Sequence, residues 1–299
     1  MIYTFARKLL KWLPDKAFLQ LYYRKNMHKW VDFKNPKSFN EKIQWLKVND
    51  HNPIYIQLCD KYEVRKFVEK LYGKEYLIPC YGVYNSFSEI DFDKLPSQFV
   101  IKCTHDSGSV VVCHDKSTQD FEYMRSKIEK GLKHNSYDYA REWQYKNIQP
   151  RIIVEKFMIQ DDGFGEKLGI IDYKFFCFNG KPQFYYVSRG LENHETARIS
   201  FFDLSGNPMP FVRSDYKPFE GSIKPRFLSQ MIEMSQIAAK EIGSDFLRVD
   251  FYEIDNQIYF SEFTLHPCSG VMPIVPTEWD YKIGDMLQLH KRGEKYDTK

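Results

Sequence analysis

Two acids near the C-terminal end of the chain, Asp250 and Glu262, have a spacing that suggests chemistry. The stretches 246–254 and 257–264 read as strands joined by a tight turn at Asp255-Asn256. Side chains alternate between faces along a strand, so Arg248 shares a face with Asp250, and Glu262 with Thr264. A register symmetric about the turn brings the Asp250 and Glu262 carboxylates close together. Two ionised carboxylates at short range repel unless a cation sits between them. Mg2+ is the simplest such cation, because it takes carboxylate and phosphate oxygens together. A solvent-facing strand pair with its acids turned outward is the alternative reading.

Three further stretches carry groups suited to a phosphate ligand. Lys102 follows Phe99-Val100-Ile101 in an apolar run, where an ammonium needs an anion or a route to water. Ser107-Gly108-Ser109 comes just after it, and backbone N–H groups with hydroxyls can surround a phosphate. An edge-strand lysine followed by a hairpin turn explains the same residues. Val154-Glu155-Lys156-Phe157-Met158 ends an apolar strand whose backbone could meet an adenine edge. Asp172 and Lys174 share one face of a strand, either as a plain ion pair or as a ribose and phosphate contact.

The elements that must position these groups are α+β in order. Residues 1–30 read as helix, divided at Pro14-Asp15. Ser38 and Glu41 form a capping box for a helix over 39–47, and another helix covers 53–72. Strands dominate from residue 98, broken by helices at 118–133 and 225–242, with a hairpin turn at Asn179-Gly180. This order lacks regular βαβ alternation and argues against a Rossmann sheet. The chain divides into a basic helical extension (1–50), a first α+β unit (51–150), a second (151–290) and a basic tail (291–299).

The 299 residues are 43% hydrophobic, which excludes a disordered chain. The net charge of +3 is not the footprint of a general nucleic-acid binder. Residues 1–37 nevertheless hold nine Lys and Arg against Asp15 and Asp32. A basic amphipathic helix there suits either an anionic membrane surface or packing on the protein's own core. The six cysteines show no C-x-x-C spacing and read as free thiols in a reducing cytoplasm. No apolar run is long enough to span a bilayer.

Taken in order, Asp60-Lys61, Leu77-Ile78-Pro79, Val100-Ile101-Lys102, the small-residue loop, Val154 to Met158, and Asp250 with Glu262-Phe263-Thr264 resemble the ATP-grasp superfamily over residues 55–270. More closely, Asn35-Pro36-Lys37-Ser38-Phe39-Asn40-Glu41-Lys42, Asp172-Tyr173-Lys174-Phe175-Phe176 and Glu262-Phe263-Thr264 are similar to the TupA-like (teichuronopeptide biosynthesis) ATP-grasp family. Its members occur in bacterial capsule, O-antigen and cell-wall polymer gene sets. The resemblance implies two α+β subdomains clamping ATP between antiparallel sheets, behind an N-terminal helical extension.

It also implies roles. Lys61 and Lys102 would contact ATP phosphates, with Ser107, Gly108 and Ser109 as the loop over them. Glu155, Lys156, Phe157 and Met158 would line adenine, Asp172 would face the ribose or adenine, and Lys174 the phosphates. Asp250 and Glu262 would hold Mg2+, with Thr264 where the superfamily has Asn and Arg248 near the transferred phosphate. Lys102, Lys174 and Arg248 would then be the catalytic cations. His266 stands where some relatives place a substrate arginine.

For the acceptor, Ser188, Arg189, His194 and Arg198 lie in a polar loop, and Ser269-Gly270 follows the acidic strand. An anionic carboxylate would suit Arg189 or Arg198. The activity implied is an ATP- and Mg2+-dependent ligase joining a carboxylate-bearing sugar or glycan to an amine or amino acid, on a surface polysaccharide or its precursor. A kinase on the same fold, a glycosyltransferase, and a non-catalytic scaffold at the inner membrane face through residues 1–30 are the alternatives.

Overall fold

A computed structural model describes residues 12–160, 169–191, 195–219 and 223–290. Residues 1–11, the first part of the basic helical stretch, and the tail 291–299 lie outside the described residues, as does His194.

Among the described residues of the extension, α1 (Asp15–Met27) follows Pro14, and this helix ends at His28 in the left-handed region. Phe18, Leu19 and Tyr23 point inward. α2 (Phe39–Asn49) has both halves of its capping box: Ser38 Oγ accepts from the Glu41 N–H, and Glu41 returns a carboxylate to the Ser38 N–H at 3.1 Å. Asn40 ties α2 to the far end of the chain, donating its backbone N–H and its amide to Asp280 at 3.0 Å.

The helix expected over 53–72 is two helices, α3 (Ile54–Cys59) and α4 (Val64–Tyr72). The break falls at Asp60, whose carboxylate accepts from the Tyr62 and Glu63 N–H groups at 2.8 and 3.2 Å and binds Arg151. A side chain that supplies acceptors to the following N–H groups ends one helix and starts the next. Lys61 is therefore on a turn rather than in a helix.

The first sheet has the order β1-β4-β2-β3, all antiparallel, from β1 (Cys80–Tyr84), β2 (Phe99–Cys103), β3 (Val110–Cys113) and β4 (Ile152–Lys156). α5 (Phe121–Leu132) covers one face, packing Met124 and Ile128 on Phe99, Ile101, Ile152 and Val154. The sheet thus runs past residue 150 and takes in the strand at 152–156. A short α6 (Tyr137–Ala140) precedes β4.

The second sheet has the order β10-β9-β5-β6-β7, also antiparallel, from β5 (Asp172–Phe178), β6 (Lys181–Arg189), β7 (Arg198–Asp203), β9 (Phe246–Ile254) and β10 (Gln257–Thr264). β8 (Val212–Arg213) and β11 (Ile274–Val275) form a separate ribbon. Asn179-Gly180 (φ 48° and 80°) and Asp255-Asn256 (φ 51° and 59°) are the two-residue, left-handed turns read from the sequence.

Alternation divides this sheet. Tyr173, Phe175, Val187, Leu247, Val249 and Phe251 face α7 (Leu228–Ile242) in one core. Phe176, Phe178, Phe184 and Phe246 face the other way, onto Phe39 of α2 and Ile283 of α8 (Glu278–Met286). Farther along that second face the side chains are charged: Asp172, Lys174, Arg248 and Asp250.

The turn at Asp255-Asn256 fixes the β9–β10 register at Ile254↔Gln257 and Phe251↔Phe260. Continued unchanged, it would place Ser261 opposite Asp250 and send Glu262 to the apolar face. A bulge between Phe260 and Glu262 absorbs one residue, and Glu262 pairs with Asp250. Among the described residues no helix is long and apolar enough to cross a membrane.

Candidate active site

A cavity of about 370 Å³ opens between the two sheets. The α3–α4 turn contributes Lys61, the first sheet and its loops Lys102, Ser107, Gly108, Ser109 and Glu155, and the second sheet Asp172, Lys174 and Glu262. Nine sequence-selected residues, separated by up to two hundred positions, therefore line one space.

On the first-sheet side, Lys102 projects from β2 and pairs with Glu155 on the neighbouring β4 at 2.6 Å. Arg65 of α4 holds the other Glu155 oxygen at 3.1 Å and the Ile78 carbonyl at 2.8 Å. Lys61 reaches over from the α3–α4 turn: its backbone N–H donates to Thr104 O at 3.0 Å and its ammonium to Asp106 O. Burial pulls the Lys61 ammonium below the usual lysine range, with the Glu262 charge opposing. The loop between β2 and β3 is held by Ser109 donating to the Asp106 carboxylate. Gly108 sits at φ 105°, where a Cβ is strained even though the space around it is open.

On the second-sheet side the charges interlock. Arg248 donates to both oxygens of Asp250, at 2.7 and 2.6 Å, and to Glu262 Oε1 at 2.8 Å. Lys174, directly across from Asp250 on β5, donates to it at 2.5 Å and also to Asp172. Asp250 is 0% exposed, and Arg248 and Lys174 take the place of water around its carboxylate. The Glu262 side chain is 47% exposed at the cavity edge. Desolvation would raise its pKa, but Arg248, Lys174 and Lys61 outweigh that and hold the carboxyl at about 2. Asp172 behaves oppositely. Burial pushes it up to about 7 against the pull of Lys174, with Asp250 adding to the rise. Its Oδ1 is buried without a hydrogen-bond partner among the described residues.

These groups can be tested against a hard divalent cation. Among the described residues, no three His, Cys, Asp or Glu side chains converge on one point. Both Asp250 oxygens are already engaged by Arg248 and Lys174. Glu262 is presented toward the cavity, and Asp172 brings an unsatisfied oxygen beside it. Mg2+ is commonly held by one or two carboxylates, with phosphates and water filling the rest. The donor set fits a cation that arrives with its own phosphates, not one caged by protein alone. Thr264 donates to Glu262 Oε1 at 3.3 Å and so orients that carboxylate.

Other selected residues lie elsewhere. Lys156 is exposed, Phe157 rests its ring 4.9 Å from His114, and Met158 is buried; none of the three lines the cavity. Arg189 and Arg198 pair across β6–β7 in the alternation of Val187, on the face opposite Lys174 and Asp250. Arg189 donates to Gly169 O, and Arg198 to the carbonyls of Glu195 and Ala197. The even residues of β6 face the charged cluster and the odd ones do not, so neither arginine reaches it.

His266 and Ser269 belong to a buried group behind the acidic hairpin. Glu142 lies 3.7 Å from His266 and accepts from the Ser269 hydroxyl, while Lys47 donates to Ser269 O at 2.6 Å. Burial holds the His266 imidazole below its usual range, with Glu142 opposing.

Arg65, Asp106 and Tyr252 line the cavity without having been singled out in the sequence. Two had a signal. Arg65 follows Lys61 by four residues, and Tyr252 shares the strand face of Asp250.

Among solved structures the chain is similar to D-alanine–D-alanine ligase from Helicobacter pylori, with 14% identity, TM-score 0.49, and 84% of this chain and 70% of that one covered. It is also similar to D-alanine–D-alanine ligase from Bacillus anthracis, with 17% identity, TM-score 0.48, and 80% and 69% covered. For an L-amino acid ligase from Bacillus licheniformis the figures are 11% identity, TM-score 0.44, and 86% and 57% covered. No curated protein sequence matches the chain. The family model described as TupA-like ATPgrasp matches residues 41–288, which span both sheets and every residue of the cavity. The chain belongs to the TupA-like ATP-grasp family.

Proposed function

We propose that the protein is an ATP- and Mg2+-dependent ligase that joins a carboxylate to an amine. The observation that carries this reading is the single cavity in which Lys61 from the α3–α4 turn and Lys102 from the first sheet face Lys174 and Glu262 from the second. Three ammonium groups converging from two sheets and a helix–helix turn suit a triphosphate laid between them. The apolar side chains of Val64, Leu77 and Ile78 on the same wall offer a surface for the base.

Phosphoryl transfer requires positioning and charge neutralisation more than covalent help. Lys61 and Lys102 would bind the phosphate chain, and Ser107 to Ser109 would close over it. Lys174 and Arg248, fixed by Asp250, would face the charge that builds on the transferred group. Glu262, with Asp172 beside it, would hold Mg2+, which when bound neutralises phosphate charge. A carboxylate oxygen of the acceptor attacks the terminal phosphorus and ADP leaves. The amine then displaces phosphate from the acyl phosphate and loses a proton, giving an amide.

We assign the acceptor to the uronic-acid-bearing surface polymers or their precursors, on the resemblance to a family found in such gene sets. We place the protein in the cytoplasm, where ATP is available and where its six cysteines, all free, remain reduced.

The test is thermal stability with and without Mg-ATP for the wild type and for Asp250→Ala and Glu262→Ala. ADP release is then measured with pooled sugar acids and amino acids. Mg-ATP is expected to raise Tm only in the wild type, and an amide product is expected from the active pair. Acceptor gaining one phosphate would make the protein a kinase. Consumption of nucleotide sugar without ATP would replace the proposal with a glycosyltransferase.

A further inference from the structure

The cationic face of the N-terminal extension plays no part in the cavity. On α1, Phe18, Leu19 and Tyr23 are buried, while Ala17, Leu21, Arg24, Lys25 and His28 are exposed. Those five positions fall on one stripe of a 3.6-residue helix. The chain then folds back along α1, pinned by Gln20, which bonds both the N–H and the carbonyl of Val31 at 2.9 and 2.7 Å. This return places the Trp30 ring under the Arg24 guanidinium, 5.7 Å away, and sets Lys29 over the Tyr281 ring at the same distance.

Six cations of this region are exposed: Lys16, Arg24, Lys25, Lys29, Lys34 and Lys37. None of them forms an ion pair with a carboxylate among the described residues. Large apolar side chains stand out among them: Trp12 is 89% exposed, Trp30 58% and Leu21 45%.

We propose that this face of α1 and the turn after it dock on an anionic lipid bilayer. Cations alone would suit any polyanion. Exposed tryptophan and leucine interleaved with lysine and arginine suit the headgroup layer, where aromatic rings settle at the polar boundary and aliphatic side chains enter the acyl edge. The opposite face of α1 gives the docking a consequence. The Tyr22 ring lies 5.4 Å from the Lys47 ammonium, which donates to Ser269 O at 2.6 Å, and Val271 packs against the Phe18–Leu19–Tyr23 cluster. The turn following the acidic hairpin therefore sits about one helix diameter, roughly 10 Å, from the lipid-facing side. Combined with the ligase reading, on which this last step alone rests, the acceptor is a lipid-linked glycan presented at the membrane.

Co-sedimentation with phosphatidylcholine vesicles, with and without phosphatidylglycerol and without nucleotide, tests the docking independently of the ligase reading. Binding is expected only to the phosphatidylglycerol vesicles and is expected to weaken with salt. Arg24→Glu/Lys25→Glu should lower partitioning by at least about ten-fold, since each cation near an anionic surface contributes roughly a five-fold factor. Leu21→Ser/Trp30→Ala should also lower it. If the helix variants fail to fold, Lys29→Glu/Lys34→Glu, placed outside the helix, should lower it in their stead. No binding to anionic vesicles, or binding that these variants leave unchanged, overturns the proposal. So does capture by soluble polygalacturonate that is lost with the charge reversals but kept in Leu21→Ser/Trp30→Ala.

Discussion

The same face of the five-stranded sheet has two ends with opposite chemistry. At one end Phe176, Phe184, Phe246 and Phe39 pack together, mostly tilted or edge to face, with ring centroids 4.7 to 6.1 Å apart. At the other, Lys174, Arg248, Asp250 and Glu262 form a charged network. The change takes place between alternate residues of single strands, Phe176 to Lys174 on β5 and Phe246 to Arg248 on β9. The aromatic end is fully satisfied and fixes the strands. The charged end keeps a half-exposed Glu262 and an Asp172 carboxylate oxygen with no partner among the described residues. A rigid platform thus carries groups whose remaining valences point into the cavity, the arrangement electrostatic preorganisation requires.

The contrast can be broken most severely at its charged end. Asp250→Ala removes the acid that both Arg248 and Lys174 share, and turnover should fall by about 10²–10³-fold, the range for losing one preorganised group. Steady-state ADP release checks this, and activity within ten-fold of wild type would separate the network from the chemistry. At the aromatic end, Phe176→Ala should cost about 3–5 kcal/mol of stability. Its activity per folded molecule below the melting transition should stay within a few-fold, as read by denaturant titration beside the same assay. Lys102→Met, which keeps most of the side-chain length, should slow turnover by roughly 10–200-fold through one lost charged hydrogen bond.

Acidity tests the unsatisfied oxygen. With its folded pKa raised to about 7, Asp172 keeps a proton that the unfolded chain loses near the ordinary aspartate pKa. Its contribution to stability is greatest at low pH and declines as pH rises toward 7. Asp172→Asn should flatten the fall in Tm between about pH 4 and 7. A slope unchanged by the substitution would place the titration elsewhere. The smallest effect belongs to Arg198, on the opposite face: Arg198→Ala should change ADP release by less than about two-fold, the ordinary size of a surface substitution.

Local physics made the positioning elements legible. The Ser38–Glu41 box, the two left-handed turns and the alternation that groups Asp172 with Lys174 and Arg248 with Asp250 all depend on residues within a few positions of one another. Long-range partners were hidden. Nothing near Glu155 announces Arg65 or Lys102 as its counter-ions, and nothing near His266 announces Glu142 or Lys47. Arg189 and Arg198 looked suited to an anion because their loop is polar, but strand parity set their direction. Asp60 was missed on both counts: its helix-breaking bonds are local, yet the sequence reads as one helix over 53–72, and its Arg151 partner is ninety-one residues away.

The bulge at Ser261 reduces to arithmetic. In a hairpin closed by a two-residue turn, facing residues differ by an odd number. Asp250 and Glu262 face each other across an interval of twelve, so one strand must carry a surplus residue. Any relative with the same turn and an even interval owes the same surplus. Altering the turn by a single residue would exchange the inward and outward sides of the strand tip and leave the acids' separation along the chain as its only trace.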